Sequence, residues 1–340
     1  MIPQENSAAV SRGLRETFGV TVCEDIRPMP SGLSSDLVFR IVVRGSSFML
    51  WIMTRIDEVN DPARRFTCML AAAEAGLAPH VWYAGIEDGI CITDFVDALP
   101  FPVTEALVRM PRLLRMLHAL PPFPKSLNYV TANKPIQRFR AAKILLKAET
   151  EEVFTRYAQL SAVYPHNESD MVSCHNDLRP QNILFDGRRV WLVDWKAAMM
   201  NDRYFDLAIA ANFLVTSDTE ERTYLQEYFG QPPDEYQLAR FFLMRQVLHM
   251  LSAAIFLLLG SWGRPINMKN KLPSFQDFHQ RLWMGAVNLA DSDEKTAYGR
   301  VHWQQLLQNM RQARFDDALR IVSDRHACPE VGRRLLPIAP

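Results

Sequence analysis

The sequence predicts an α+β protein with a small, β-rich lobe over residues 1–96 and a large, mainly helical lobe over residues 97–340. Short β-branched runs separated by turn residues dominate the first part, and apolar residues at helical spacing dominate the second. Residues 174–195 add a polar loop that is followed by two short strand-like runs. A chain of 340 residues is long enough to bury a large core and to divide into two lobes.

The β-rich part is expected to contain two strand pairs with a helix between them. Asp61 and Pro62 mark the start of that helix, because Asp is a favourable N-cap and Pro fits the first helical turn. An apolar stripe at helical spacing follows, and Gly76 ends the helix. Turn residues separate the strands within each pair. The four strands are expected at residues 37–43, 47–53, 80–83 and 90–96.

Helices are expected from residue 97 onward. One covers residues 104–120, with a kink at Pro111, and another covers residues 136–160. Residues 241–259 are long and apolar enough to suggest a membrane span. Because Arg245 and other polar residues interrupt this run, we favour a buried central helix and expect no membrane span.

Residues 174–195, CHNDLRPQNILFDGRRVWLVDW, contain the functional motif of the chain. Asp177 and Asn182 lie five residues apart in one loop, and Asp194 follows the apolar run 190–193. Phosphoryl transfer from ATP needs a carboxylate to deprotonate a hydroxyl, and an amide with a second carboxylate to hold Mg²⁺. Turn formers that cap their own backbone would explain the loop alone. They would not explain the order of loop, strand, turn, strand and terminal acid.

The same residues carry a resemblance to a known family. His175-Asn176-Asp177 with Asn182 resembles the catalytic loop of the kinase-like small-molecule phosphotransferases, and Val193-Asp194-Trp195 resembles their metal-binding strand end. This family includes choline and ethanolamine kinases and aminoglycoside phosphotransferases. Residues 201–208, NDRYFDLA, resemble the stretch that follows in the family. Asn176 favours the choline kinase branch, since aminoglycoside enzymes more often carry Gly there.

The resemblance implies a bilobal protein-kinase-like fold, with ATP and Mg²⁺ as cofactors. It implies that Asp177 is the catalytic base and that Asn182 and Asp194 hold the metal. We place His175 in the same catalytic set, as the residue that fixes the loop. Asp206 is expected to accept backbone hydrogen bonds from the loop and so to hold it in place.

Nucleotide binding is expected from two segments of the first lobe. Gly32, Ser34 and Ser35 precede the first hairpin strand, where the family places a phosphate-covering turn, and backbone N–H groups and hydroxyls can bind phosphate oxygens. An ordinary loop would explain this composition as well. Asp94 and Val96 lie where the last strand leaves the lobe, which by resemblance is the hinge that bonds adenine.

The chain departs from the family at an ion pair. The family usually places a Lys or Arg in the second hairpin strand and a Glu on the following helix, to hold the ATP phosphates. Trp51 stands where the cation is expected, and Arg65 stands where the Glu is expected. Arg65 could supply the positive charge from the helix. Arg55 is a second candidate, since period-two alternation would put it on the strand face of Trp51.

A lysine next to the metal-binding residue is a further difference. Relatives often carry an acid directly after the Asp-Trp or Asp-Phe pair, whereas this chain has Lys196. Such a lysine could contact phosphate or substrate, or it could simply point to solvent.

Composition narrows the partners and the compartment. Lys plus Arg and Asp plus Glu are both 38, so no bulk charge favours a nucleic acid. The first twenty residues lack the apolar core of a signal peptide. The five cysteines show no CxxC spacing, so neither a zinc site nor a disulfide framework is indicated. We expect a cytoplasmic protein, and a homodimer stays open as an assembly state.

The expected acceptor is a small molecule with a hydroxyl group, either an amino alcohol or an amino sugar. Aromatic residues could surround a quaternary ammonium group, although plain core packing explains each of them as well. Acids could instead meet the ammonium groups of an amino sugar. The aromatic residues are Trp262, Phe275, Phe278, Trp283 and Trp303, and the acids are Asp234, Glu235, Asp277, Asp291, Asp293 and Glu294. A degraded nucleotide-binding pseudokinase is the competing interpretation, because Trp51 and Arg65 replace the usual pair.

Overall fold

The computed structural model describes residues 2–29, 35–57, 60–127, 134–268 and 271–327. The first part of the chain contains both helices and strands, and helices dominate the second. The helices are α1 (Gln4–Phe18), α2 (Pro62–Glu74), α3 (Val103–His118), α4 (Lys134–Ala142), α5 (Lys147–Val163), α6 (Arg203–Leu214), α7 (Asp218–Phe229), α8 (Glu235–Ser261), α9 (Phe275–Trp283), α10 (Ser292–Met310) and α11 (Ala313–Ala327). The strands are β1 (Asp25–Met29), β2 (Leu37–Val43), β3 (Ser46–Ile52), β4 (Val81–Gly85), β5 (Ile90–Asp94), β6 (Met171–Cys174), β7 (Ile183–Phe185), β8 (Val190–Leu192) and β9 (Met199–Asp202).

A five-stranded antiparallel sheet forms the first part of the chain, with strand order β1-β2-β3-β5-β4. The predicted hairpin is β2–β3, and it turns at Arg44 and Gly45, which both have positive φ. Positive φ at two central residues is the geometry of the tight turns that match strand twist. Apolar side chains of the sheet pack against α1 and form a core with Val10 and Leu14. The α+β class and the β-rich first part are therefore confirmed.

Helix α2 begins as the sequence predicts. The Asp61 carboxylate accepts a hydrogen bond from the Ala63 N–H (2.9 Å), and Pro62 occupies the first turn. Gly76 has a φ of 71°, and the helix ends two residues before it. A left-handed residue beyond the last turn is a common way for a helix to end, and Gly adopts that conformation without steric cost.

Several elements differ from the sequence-based expectation. The sheet has an additional edge strand, β1, and a helix, α1, precedes it. The single helix expected over residues 136–160 is instead two helices, α4 and α5, and Lys143 between them has a φ of 49°. A left-handed Lys cannot continue a right-handed helix, so the chain changes direction there.

The described residues form two compact units. The first unit comprises residues 1–127, 171–215 and 280–290, and it holds the sheet, α2, α3 and α6 together with the 174–195 motif. The second comprises residues 128–170, 216–279 and 291–340, in which α8 packs against α4, α10 and α11. The lobe boundary expected after residue 96 stays a prediction.

Helix α8 is the expected long apolar helix. Among the described helices it has the length and composition to cross a membrane, with a mean hydropathy of 1.8. Most of its apolar window, 72%, is buried within the protein, as in the core helix of a soluble protein. Its N-terminus carries a capping box, in which Asp234 and Gln237 each bond the backbone N–H of the other.

Candidate active site

The polar loop and Asp194 are brought together by the short hairpin β7–β8. Asn182 ends the loop directly before β7, and Asp194 lies two residues beyond β8. The strands pair with Ile183 opposite Leu192, and the N–H of Val193 donates to the backbone oxygen of Asn182 (3.0 Å). The hairpin therefore returns the chain to the loop at the residue before Asp194.

Asp177 lies within a network of hydrogen bonds. The Asn182 amide nitrogen donates to its carboxylate (3.1 Å) and to its backbone oxygen (2.8 Å). Arg179 donates to both carboxylate oxygens, from Nε at 2.7 Å and from Nη2 at 2.9 Å. Burial alone would raise the pKa of Asp177, but the charges of Arg179 and Lys196 and the nearby His175 ring outweigh it and lower the pKa. The carboxylate is therefore ionised at neutral pH and can accept a proton.

His175 links the loop to the end of β8. Its ring is fully buried, with Nε2 3.0 Å from the backbone oxygen of Val193. Nδ1 accepts from the backbone N–H of Asp177 (3.3 Å), so Nε2 carries the proton and donates to Val193. Both ring nitrogens are occupied. The geometry supports a positioning role for His175 rather than proton transfer to a substrate.

Asp206 of α6 holds the start of the loop, as expected. Its carboxylate is fully buried and accepts the backbone N–H groups of His175 and Asn176, each at 2.7 Å. Asn176 has a φ of 64°, a conformation that Gly and Asn tolerate better than other residues. Its amide nitrogen donates to the backbone oxygen of Ala197 (3.0 Å), which ties the loop to the segment after Asp194.

The two carboxylate oxygens of Asp194 have different surroundings. Oδ2 accepts from Nζ of Lys196 (2.7 Å), whereas Oδ1 is buried and has no hydrogen bond among the described residues. Arg65 Nη2 lies 3.6 Å from Oδ1, too far for a good hydrogen bond. Asp194 also has a φ of 63°, which is a strained conformation for a non-glycine residue and is often found at functional sites.

Two side-chain oxygens at this site suit a hard divalent cation as ligands. The unbonded Oδ1 of Asp194 is a carboxylate oxygen. In Asn182 the amide nitrogen makes the bonds to Asp177, so the amide oxygen is the side-chain atom that could bind a cation. Mg²⁺ prefers oxygen ligands, and one or two protein ligands with substrate phosphates are its usual arrangement.

Arg65 occupies a buried position on α2, with 5% of its surface exposed. Nη1 lies 2.5 Å from Oδ2 of Asp36, and the guanidinium carbon lies 5.7 Å from the ring centre of Trp51. Asp36 was not predicted from the sequence. Its position directly after the predicted phosphate-covering turn is the signal that could have identified it.

Arg55 does not lie where the alternation pattern placed it, and that expectation is wrong. Strand β3 ends at Ile52, three residues before Arg55. The Arg55 side chain is 75% exposed and pairs with Asp57 at 2.6 Å. Between the two candidate arginines, only Arg65 is close to Asp194.

Arg64 holds the chain segment that follows Asp194. Nη2 donates to the backbone oxygen of Lys196 (2.8 Å), and Nη1 donates to the backbone oxygen of Ala198 (2.7 Å). Of these two consecutive arginines of α2, Arg65 lies beside Asp194 and Arg64 bonds the turn after it. Sequence reasoning did not identify Arg64, because its partners lie more than 130 residues away.

A polar cavity of about 170 Å³ lies between Asp194's neighbours and the start of β2. Ser35 lines this cavity, whereas Gly32 and Ser34 fall outside the described residues. Both cationic and anionic side chains contribute to its wall. The lining residues are Ser35, Asp36, Met53, Asn60, Asp61, Arg64, Arg65 and Lys196.

The predicted hinge residues lie at the end of strand β5 and directly after it. Asp94 ends β5, and its carboxylate accepts from the indole N–H of Trp82 (2.7 Å). Val96 is half-buried and follows the strand. Its backbone N–H has no hydrogen bond to the part of the chain that the structure describes. Farther along, the Leu99 N–H donates to the backbone oxygen of Phe185 (2.6 Å), which places this segment beside β7.

The aromatic residues suggested for an acceptor pocket differ in their surroundings. Phe278 and Trp303 are buried, in agreement with core packing, and Trp262 is 77% exposed. The Trp283 indole donates to the backbone oxygen of Phe101 (2.8 Å). Among the suggested acids, Asp291 caps α10 by accepting two of its first backbone N–H groups.

Comparisons with known proteins concern the family and the fold of the chain. Residues 25–242 match the model of the phosphotransferase enzyme family, APH. The protein LicA of Haemophilus influenzae is 31% identical over 100 residues, which covers 25% of this chain and 35% of that protein. The chain thus matches only about a third of the length of this curated relative.

Three solved structures share the fold. A choline/ethanolamine kinase family protein from Mesorhizobium loti has a TM-score of 0.66 and 18% identity, covering 94% of this chain and 99% of that chain. LicA in complex with AMP has a TM-score of 0.55 and 14% identity, covering 88% of this chain and 97% of that chain. A spectinomycin phosphotransferase in complex with ADP and spectinomycin has a TM-score of 0.53 and 11% identity, covering 86% of this chain and 98% of that chain. The kinase-like bilobal fold is confirmed, and since the family model covers more than half of the 340 residues, the chain belongs to the phosphotransferase enzyme family.

Proposed function

We propose that the protein is an ATP- and Mg²⁺-dependent kinase that phosphorylates the hydroxyl group of a small amino alcohol. The observation that carries the proposal is the connected set of Asp177, Asn182 and Asp194. Asn182 bonds Asp177 through its side chain and bonds the residue before Asp194 through its backbone. A base and two oxygen ligands for a cation would thus belong to one hydrogen-bonded unit, which suits phosphoryl transfer.

The proposed reaction is an in-line transfer. The acceptor oxygen forms a bond to the γ-phosphorus while the bond from that phosphorus to the β,γ-bridging oxygen breaks, and ADP leaves with the electron pair. The hydroxyl proton moves to the Asp177 carboxylate, which Arg179 and its neighbours keep ionised. When bound, Mg²⁺ would be held by Asn182 and Asp194 and would neutralise charge on the phosphates.

Nucleotide binding is proposed at the cavity beside Asp194 and at the predicted hinge. Ser35 and Arg65 line the cavity, and Gly32 and Ser34 precede it in the chain. Arg65 would supply the positive charge for the outer phosphates, while Asp94 and Val96 would bond adenine through their backbone. The structure of LicA with AMP supports nucleotide binding by this fold.

An amino alcohol is favoured as acceptor over an amino sugar. The similarity to a choline/ethanolamine kinase family protein supports this choice. Asp234 and Asp291, two of the acids considered for an amino-sugar pocket, are used as helix caps. An amino sugar is the second candidate, because a spectinomycin phosphotransferase shares the fold.

An acceptor screen that measures ADP release tests the proposal. The panel contains choline, ethanolamine and other amino alcohols in one arm and aminoglycosides and spectinomycin in the other, with Asp177→Asn as the matched control. ADP release with an amino alcohol, absent in the control, supports the proposal. ADP release with the second arm alone would assign an antibiotic kinase. No release with any acceptor, and no thermal stabilisation by ATP with or without Mg²⁺, would identify a degraded nucleotide-binding site.

A further inference from the structure

Lys196 is fixed at the metal-binding carboxylate by its backbone and by its side chain. The backbone oxygen accepts from Arg64 (2.8 Å), and the side-chain Nζ bonds Oδ2 of Asp194 (2.7 Å). The Asp194 side chain is 9% exposed and that of Lys196 is 29% exposed. This pair is therefore unlike an exposed surface ion pair, in which two long side chains lose entropy for little gain.

The bond to Lys196 determines how Asp194 can bind metal. Kinases with two Mg²⁺ ions hold them with this aspartate and with the asparagine of the catalytic loop. An aspartate can serve two cations by presenting one carboxylate oxygen to each. Here an ammonium group already bonds Oδ2, and only Oδ1 lacks a partner among the described residues. A dication bound at Oδ2 would stand next to the Lys196 charge and be repelled by it.

Lys196 is one of two cationic side chains beside Asp194. It lines the polar cavity together with Arg65, which lies 3.6 Å from the other oxygen of Asp194. A cation in this position can neutralise phosphate oxygens without being released with the product.

We propose that the ammonium group of Lys196 replaces the second metal ion, so that this enzyme binds one divalent cation per nucleotide, at Oδ1 of Asp194 and Asn182. This inference rests on the proposed function, because it concerns the metal bound with ATP. It adds a specific role for a residue of this chain: Lys196 is a built-in cation of the phosphate site.

Counting metal ions tests the inference without measuring activity. Mn²⁺ is titrated into the full-length protein saturated with a non-hydrolysable ATP analogue, and free Mn²⁺ is measured by electron paramagnetic resonance. We expect one tightly bound Mn²⁺ per chain. Lys196→Glu, which replaces the ammonium by a carboxylate, should bind two. Lys196→Arg is the matched control, because it keeps the charge, and it should bind one.

The wild-type count is decisive even if a variant does not fold. Two tightly bound ions in the wild-type protein would overturn the inference while leaving the proposed kinase function intact. A single ion in folded Lys196→Glu would overturn it as well, since the acid should create the second site. If the wild-type protein binds neither the analogue nor Mn²⁺ in its presence, the proposed function and the inference both fail.

Discussion

Arg65 and Asp36 form a buried ion pair, with Nη1 2.5 Å from Oδ2 and side-chain exposures of 6% and 10%. Kinases of this fold place a strand Lys and a helix Glu near the ATP phosphates. In this protein the helix carries the cation, and the carboxylate comes from the residue next to β2. The helix thus carries a cation where the usual pair has its carboxylate, and Arg65 lies near the carboxylate of Asp194.

Arg65→Ala is expected to weaken ATP binding about tenfold or more and AMP binding hardly at all, because the lost charge acts on the outer phosphates. Arg65→Lys should recover only part of the loss, since an ammonium cannot reproduce the two-pronged contact of a guanidinium. Calorimetry with both nucleotides measures this. Arg55→Ala is the control, and its exposed side chain should have no effect.

Stability must be measured in the same variant. Removing one partner of a buried ion pair typically costs about 3–5 kcal/mol, because the other charge is left buried. Arg65→Ala should therefore lower the free energy of unfolding, and Arg65→Ala combined with Asp36→Ala should restore part of it. Equal losses of ATP and AMP affinity in Arg65→Ala would show general damage to α2 instead of a lost phosphate contact.

Asp177→Asn is expected to lower the rate of phosphoryl transfer by about 10² or more and to leave ATP affinity within a few-fold of wild type. The amide keeps the size of the side chain but cannot accept the hydroxyl proton. Single-turnover kinetics with a saturating acceptor measures the chemical step. A rate close to that of the wild-type enzyme would remove Asp177 from the mechanism.

The pH dependence of the reaction should depend on Arg179. Burial raises the pKa of Asp177, and Arg179 is foremost among the groups that bring it below its usual range. In Arg179→Gln the effect of burial is no longer offset by this charge, so the pKa of Asp177 should rise. The acid limb of the kcat/KM profile should then move to higher pH. An unchanged acid limb would mean that a different group controls it.

The same shift affects stability with a definite sign. The pKa of Asp177 is lower in the folded protein than in the unfolded chain. Ionised Asp177 therefore stabilises the fold at pH values above the pKa of the unfolded state, and this contribution is lost as the pH falls through the pKa of the folded state. Arg179→Gln should therefore reduce the free energy of unfolding more at neutral pH than in acid. Urea titrations at the two pH values measure the difference.

Asp194→Ala is expected to abolish the Mg²⁺ dependence of nucleotide binding. Its Oδ1 is the unbonded buried carboxylate oxygen beside Arg65, and the variant leaves only Asn182 as protein ligand. Calorimetric titration of ADP with and without Mg²⁺ should give the same affinity in the variant and different affinities in the wild type. An unchanged Mg²⁺ effect in the variant would contradict the metal assignment.

The part of the site that the sequence predicts is the part built from local geometry. Asp177, Asn182 and Asp194 belong to one loop and one hairpin, so their spacing alone brings them together. The cap at Asp61 is likewise a local feature. The Arg65–Asp36 pair spans 29 residues, and the carbonyl partners of Arg64 are more than 130 residues away. Such contacts depend on how α2 packs, which no spacing pattern contains. The pattern that placed Arg55 on a strand failed because the strand ends earlier.

Asp206→Ala is expected to destabilise the loop before it affects the rest of the protein. The Asp206 carboxylate accepts the N–H groups of His175 and Asn176, and both are buried. Leaving a buried donor without a partner costs about 1–3 kcal/mol, so the two together should lower the free energy of unfolding by several kcal/mol. Hydrogen exchange at these two amides should accelerate more than at amides of the β2–β3 hairpin, which serves as the internal reference. Asp206→Asn keeps one acceptor oxygen, so its exchange rates at these amides should lie between those of Asp206→Ala and the wild type. If exchange at residues 175 and 176 is no faster than at the reference amides, Asp206 does not hold the loop.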